Sequence, residues 1–219
     1  MSYTDKAFTL LDDWRHLPSY QLERRADIFF AVYLPEIAQK FLDLEPRAII
    51  PEFPVRIGGP KRRKSSNRSF KIDYLIRAKH GARVVFLELK TDMKSKRGKQ
   101  DKYLREASEA GMLKLIDGLG LIYSATRQRA KYDSLFAQLA KAGFVESPIS
   151  HPLHIVKRNY KTEIAYIQPW HDAAEGAKVI TFREISQLLR RKRDELSRRF
   201  AESLDKWAEI EAGRQIGAA

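Results

Sequence analysis

Cysteine is absent from the 219 residues. That removes disulfides, thiol nucleophiles, iron–sulfur clusters and cysteine zinc sites together, and it fits a reducing compartment. No apolar run approaches the roughly 18 residues of a membrane span. The first residues, Met1-Ser-Tyr-Thr-Asp, show no basic stretch followed by an apolar one, so no secretory signal is expected. A soluble, cytoplasmic chain with no membrane partner is the resulting expectation. Gly/Ser-rich linkers, internal repeats and low-complexity segments are also missing, which favours one domain, or one domain with appendages. No Gly-x-Ser-x-Gly elbow and no Gly-rich phosphate loop occur, so neither a serine-elbow hydrolase nor an ATP site is indicated.

Negative charge is in short supply. Lys and Arg number 41 against 28 Asp and Glu, leaving a net charge of +13. Such an imbalance points to a polyanionic partner. Three windows hold the whole excess: 61–68 (KRRKSSNR) at +5, 94–102 (KSKRGKQDK) at +4 and 190–199 (RRKRDELSRR) at +4. Clustering of this kind is the footprint of phosphate contacts; the alternative for any one window, of equal weight, is solvated loop or helix surface.

Hydrophobic periodicity supplies the element order. Residues 20–44 read as a helix, with Leu22, Ala26, Phe29, Phe30, Tyr33, Leu34, Ile37 and Phe41 spaced by three and four. Pro35 is expected to kink it or to start a second segment. Residues 48–57 read as an edge strand because of their prolines. Residues 69–78 alternate, with Phe70, Ile72, Tyr74 and Ile76 on one face and Lys71, Asp73, Leu75 and Arg77 on the other. His80-Gly81 is a tight turn into a β-branched strand at 83–90. Helix follows at 99–117 and again at 120–142, with an interruption near 124–126. Residues 163–168 form another strand, closed by Pro169. Residues 181–211 read as one long basic amphipathic helix, capped by Thr181 and Glu184.

The chemistry concentrates on the second and third strands. Their hairpin lets Asp73 and Glu88 lie side by side, and Glu88 and Lys90, two apart, share one face of their strand. Two carboxylates and a lysine then converge where a strand pair ends. Oxygen ligands of this kind suit Mg²⁺, which takes one or two carboxylates, waters and a substrate phosphate. A second acid-x-Lys triplet, Asp92-Met93-Lys94, has the same spacing. Context separates the two: 88–90 continues an apolar strand, whereas 92–94 lies in a polar, basic stretch. The alternative for Asp73 is an incidental polar residue, but Asp is depleted in strands. The His151-x-x-His154 pair has no second ligand pair nearby and reads as loop, while Trp170 and Trp207 read as core.

These residues and this order resemble the PD-(D/E)XK nuclease superfamily, whose restriction-endonuclease-like core runs helix, three strands, helix, strand. Its motif is an Asp on the second core strand and Glu-x-Lys on the third, here Asp73, a gap of fourteen residues, then Glu88-Leu89-Lys90. The resemblance spans about residues 20–170; it departs from the motif where Ile72 stands in place of a proline. It implies a mixed sheet flanked by helices, with a helical insert and a long C-terminal helix added. It further implies that Asp73, Glu88 and the Leu89 carbonyl bind Mg²⁺ or Mn²⁺, and that Lys90 orients the attacking water and stabilises charge on the phosphate. Gln100 and Tyr103 resemble the Gln and Tyr that many members carry on the next helix. Members often add an acid from the first helix; Glu23, Asp27 and Glu36 all qualify, with Glu23 placed first.

The expected protein is therefore a metal-dependent nuclease acting on DNA, with a single domain over 1–180 and the basic helix over 181–219. Lys61, Arg62, Arg63 and Lys64, and Lys96, Arg97 and Lys99, are expected to hold the nucleic-acid backbone. The rivals are a binding protein of the same fold without the chemistry, and a scaffold that assembles through its basic C-terminal helix. An apolar stripe on a terminal helix usually packs on its own domain; the length of this one also lets its distal half, with Leu196, Phe200, Leu204 and Trp207, project beyond the core and support a homodimer, which is the expected assembly.

Overall fold

The computed structural model describes residues 1–17, 19–56, 69–92, 98–147, 153–172 and 176–216. The elements run α1 (Tyr3–Trp14), α2 (Leu22–Leu42), β1 (Pro46–Arg56), β2 (Ser69–Ala78), β3 (Arg83–Leu89), α3 (Gly98–Ala125), α4 (Arg129–Ala142), β4 (Lys161–Gln168), β5 (Lys178–Thr181), α5 (Phe182–Leu189) and α6 (Glu195–Ile216). Five strands hydrogen-bond in the order β1-β2-β3-β4-β5. β1 pairs antiparallel with β2, β2 antiparallel with β3, and β4 parallel with β5. The class is α/β, with a mixed sheet flanked by helices.

The chain divides into two compact units. One comprises residues 44–88 and 98–164 and holds the β1-β2-β3 meander, α3, α4 and the start of β4. β1 takes the sheet's edge, as its prolines predict, and α3 and α4 pack on it. Glu52 adopts a positive φ of 51° within β1, a conformation that interrupts regular pleating. β2 is buried on both faces from Tyr74 to Ala78, and β3 from Val84 to Leu89. The turn between them places Gly81 at φ 70°, where a side chain would be strained. α3 is two helical segments joined at Gly111, whose φ of 77° breaks the helix; the periodicity at 99–117 gave no sign of that joint. The expected interruption near 124–126 is present, since α3 ends at Ala125 and α4 starts at Arg129.

The other unit comprises residues 1–43, 89–97 and 165–219. Its core is aromatic. Phe200 of α6 lies against Phe8, Phe29, Phe30 and Tyr33, at centroid distances from 5.0 to 6.0 Å. Phe182 and Trp207 complete the cluster. Polar contacts fix the helices around it. Tyr33 and Ser197 share a buried hydroxyl hydrogen bond of 2.8 Å, and the Trp207 indole donates to Asp12 at 2.9 Å. Arg15 and Glu211 form an ion pair at 3.3 Å with both side chains almost wholly covered.

Two expectations need correction here. Residues 181–211 are not one helix: α5 ends at Leu189, and α6 starts at Glu195. The Thr181/Glu184 capping box is present at α5, but a second cap restarts the chain. Asp194 accepts the backbone N–H of Ser197 at 2.8 Å and its hydroxyl at 2.7 Å, which satisfies donors that a new helix end leaves open. The apolar stripe therefore does not project. Phe200, Leu204 and Trp207 are fully buried because the break folds α6 back against α5 and α1. The stripe is thus ordinary core and supplies no argument for the expected homodimer. Of the two alternatives for Pro35, a second segment is excluded, since the proline lies inside a single helix. α1 and β5 were not anticipated, so the order has two helices before the first strand and a fifth strand after the fourth.

Candidate active site

The β2–β3 hairpin sets the geometry. The paired residues Tyr74–Leu87, Leu75–Phe86, Ile76–Val85 and Arg77–Val84 run in a constant register that puts Asp73 opposite Glu88. A slip of one residue would send Asp73 to the other face. The register is held at the turn by Arg77, 2% exposed. Its guanidinium donates to the carbonyl oxygens of Ala78, Gly81 and Arg83, the latter two at 3.0 and 3.4 Å, and sits 5.0 Å from the Tyr160 ring centroid. Burial pushes the Arg77 guanidinium below its ordinary range, and the Tyr160 phenol opposes that shift. The same turn end is tied to β4 by Arg83, which donates twice to Glu163 at 2.9 and 3.2 Å. Hydrogen bonding from Arg83 lowers the Glu163 pKa despite partial burial.

Glu88 is fully buried. A buried carboxylate is costly unless its oxygens are met. Oε1 accepts the Asp73 backbone N–H at 3.4 Å, and Oε2 accepts a short hydrogen bond from the Gln100 amide. Gln100 reaches it from the first turn of α3. One turn further on, Tyr103 stacks on Phe70 of β2, with centroids 5.4 Å apart and planes at 19°, so the start of α3 is clamped to β2. Asp73, Glu88 and Gln100, expected from sequence, are thus brought together, with Asp73 half-buried.

The remaining expected residues are placed as follows. Leu89 closes β3 and is buried. Lys90 follows it at 4% exposure, and its backbone N–H donates to the Ile167 carbonyl at 2.9 Å. Glu23 is half-buried in the first turn of α2, and Asp27 is exposed. Glu36 is exposed and accepts from Lys192 at 2.8 Å. Lys61, Arg62, Arg63, Lys64, Lys96 and Arg97 lie outside the described residues, as do Met93 and Lys94 of the competing triplet and the side chain of Lys99. His151 is outside them too, while His154 is exposed. Trp170 and Trp207 are core, as expected. Sequence reading missed Arg77; an arginine amid apolar strand residues was the available signal.

Among the described residues, no three His, Cys, Asp or Glu side chains group into a cation cage. A Mg²⁺ site asks for less, one or two carboxylates with waters completing the shell. Asp73 opposite a buried Glu88 whose Oε2 is oriented by Gln100 satisfies that requirement in donor chemistry. Compared with protein-family models, curated proteins and solved structures, the chain matches none.

Proposed function

We propose that this protein is a metal-dependent nuclease that hydrolyses phosphodiester bonds in DNA, with a core of the PD-(D/E)XK type. One observation supports the reading above the others: the β2–β3 register places Asp73 opposite Glu88, and the buried Glu88 carboxylate is held by Gln100 and by the Asp73 backbone. A structural carboxylate at a strand end would be solvated; this one is enclosed and oriented. In this reading Asp73, Glu88 and the Leu89 carbonyl hold Mg²⁺ or Mn²⁺. The bound cation supplies charge neutralisation of the scissile phosphate and a water of lowered pKa. Gln100 fixes the plane of the Glu88 carboxylate. Lys90, two residues beyond Glu88, contributes positive charge where the transition state gains negative charge. The basic windows at 61–68 and 94–102 hold the backbone of the substrate.

The test is nicking of supercoiled plasmid by the full chain with Mg²⁺, with Mn²⁺ and with EDTA. Nicking that requires either cation is the expected result. Metal-independent nicking, or none with either metal, would sink the proposal; tight DNA binding without nicking would favour a binding protein of the same fold.

A further inference from the structure

The basic window at 190–199 divides once the structure is known. Four of its six bases are neutralised within the chain. Arg190 pairs with Asp205 at 2.6 Å and Lys192 with Glu36 at 2.8 Å. Arg198 and Arg199 both engage Asp5 and Glu202. Two remain, Arg191 and Arg193, both exposed and without an ion pair among the described residues. Arg183, one residue into α5, is exposed and likewise without one.

The three follow one another along α5 and the turn after it. α5 buries Phe182, Ile185, Ser186 and Leu189. Its outward positions are Arg183 and Gln187, one turn apart, and they lead into the exposed Arg191 and Arg193 of the turn before α6. The neighbouring acids have other partners: Glu184 accepts from Thr181, Asp194 caps α6, Glu195 accepts from the Ser2 hydroxyl, and Asp205 pairs with Arg190. α5 has eight residues. At 1.5 Å each it spans about 12 Å, which faces about three to four phosphates of one duplex strand.

We infer that the α5–α6 corner, through Arg183, Arg191 and Arg193, is a second nucleic-acid backbone contact, separate from the residues at 61–64 and 96–99. Two features favour nucleic acid over an anionic membrane. None of the large exposed apolar side chains falls on residues 176–213, so α5 and the turn after it offer no apolar side chain of their own to lipids. All three cations are arginines, whose planar fork grips phosphate oxygens in pairs. Nucleic acid as the ligand comes from the functional reading above; cleavage chemistry plays no part in this inference.

The experiment is fluorescence anisotropy of a labelled DNA duplex, titrated in EDTA over a series of salt concentrations. The full chain is compared with the triple variant Arg183→Gln, Arg191→Gln, Arg193→Gln. A charge-matched control carries Lys114→Gln, Lys131→Gln and Lys157→Gln, at exposed positions in the other unit. The corner variant is expected to bind at least about tenfold more weakly. The slope of log K against log salt should become shallower by about 0.9 for each phosphate no longer neutralised, up to about 2.7. The control should keep the wild-type slope. Equal weakening in both variants would mean that only net charge matters, and unchanged binding by the corner variant would mean that the corner touches nothing; either result overturns the inference. So would wild-type protein that ignores the duplex but binds phosphatidylserine vesicles. Because EDTA prevents metal-dependent cleavage, a failed nicking assay leaves this result readable on its own.

Discussion

Asp73, Glu88 and Gln100 have separable roles, and their variants should differ in degree. Asp73→Ala removes a proposed ligand from a half-buried position, so plasmid nicking should fall by at least about 10²–10³-fold with little change in thermal stability. Gln100→Ala leaves both carboxylates and loses only the orientation of Glu88, so about 10–100-fold is expected. Equal effects would contradict that division, and wild-type nicking by Asp73→Ala would remove the site. Arg77 is a matter of stability. Arg77→Met strands the carbonyls of Ala78, Gly81 and Arg83 and should cost about 2–3 kcal/mol in urea unfolding. Glu163 gives a pH signature. Its folded pKa lies below the ordinary glutamate value because Arg83 hydrogen-bonds its charged form. The pair's stabilisation is therefore complete above the ordinary glutamate pKa and disappears as pH falls through the depressed one. Urea unfolding of wild type and Glu163→Gln should differ at pH 7, by about 1 kcal/mol or less, and converge at acid pH. Asp73 and Glu88 were legible in sequence because two-residue alternation and a short hairpin leave little freedom in how they face. Arg77 was visible only as an arginine amid apolar strand residues; its partners are turn carbonyls that only the folded hairpin gathers.

Among the elements, α6 departs most from its sequence reading. With Phe200 fully buried among α1 and α2 aromatics, Phe200→Ala should cost about 3–5 kcal/mol. The unfolding midpoint should not depend on protein concentration, whereas a stripe covered by a second copy would make it so. Asp194→Ala should cost about 1 kcal/mol through the missing cap, a fall of about 2–4 °C in Tm for a chain of this size. The basic interruption at 190–193 was visible in the stripe, yet no Gly or Pro marks a helix end there. Thr181 was legible as a cap because its partner acid stands three residues on; Asp194 has Ser197 at that place, which reciprocates less conspicuously. α1 and β5 escaped notice for a simpler reason. α1 buries only Phe8 and Leu11 and β5 is four residues long, too little for periodicity to register.

At the level of the whole molecule, the net charge of +13 is concentrated in the three basic windows. Neutralising Lys61, Arg62, Arg63 and Lys64 should weaken duplex binding evenly across sequences and lower the salt slope by about 0.9 for each phosphate released; an unchanged slope in the same titration would free this run from any role at the backbone. The general class, strands flanked by helices, followed from the sequence because apolar period changes from two to three or four along the chain. The grouping of residues 1–43 with the C-terminal helices did not, since packing between sequence-distant helices leaves no local pattern. The same sheet has one more property. Its outer strands are poor templates for a stranger's backbone: β1 contains Pro46, Pro51 and Pro54, a left-handed Glu52 and a Glu52–Lys71 ion pair, and β5 offers four residues. Prolines donate no hydrogen bond, and charge and brevity discourage strand addition. If the proposed nucleic-acid partner crowds copies edge to edge, these strands resist templated aggregation, and the prolines that mark β1 as an outer strand are also what keeps it one.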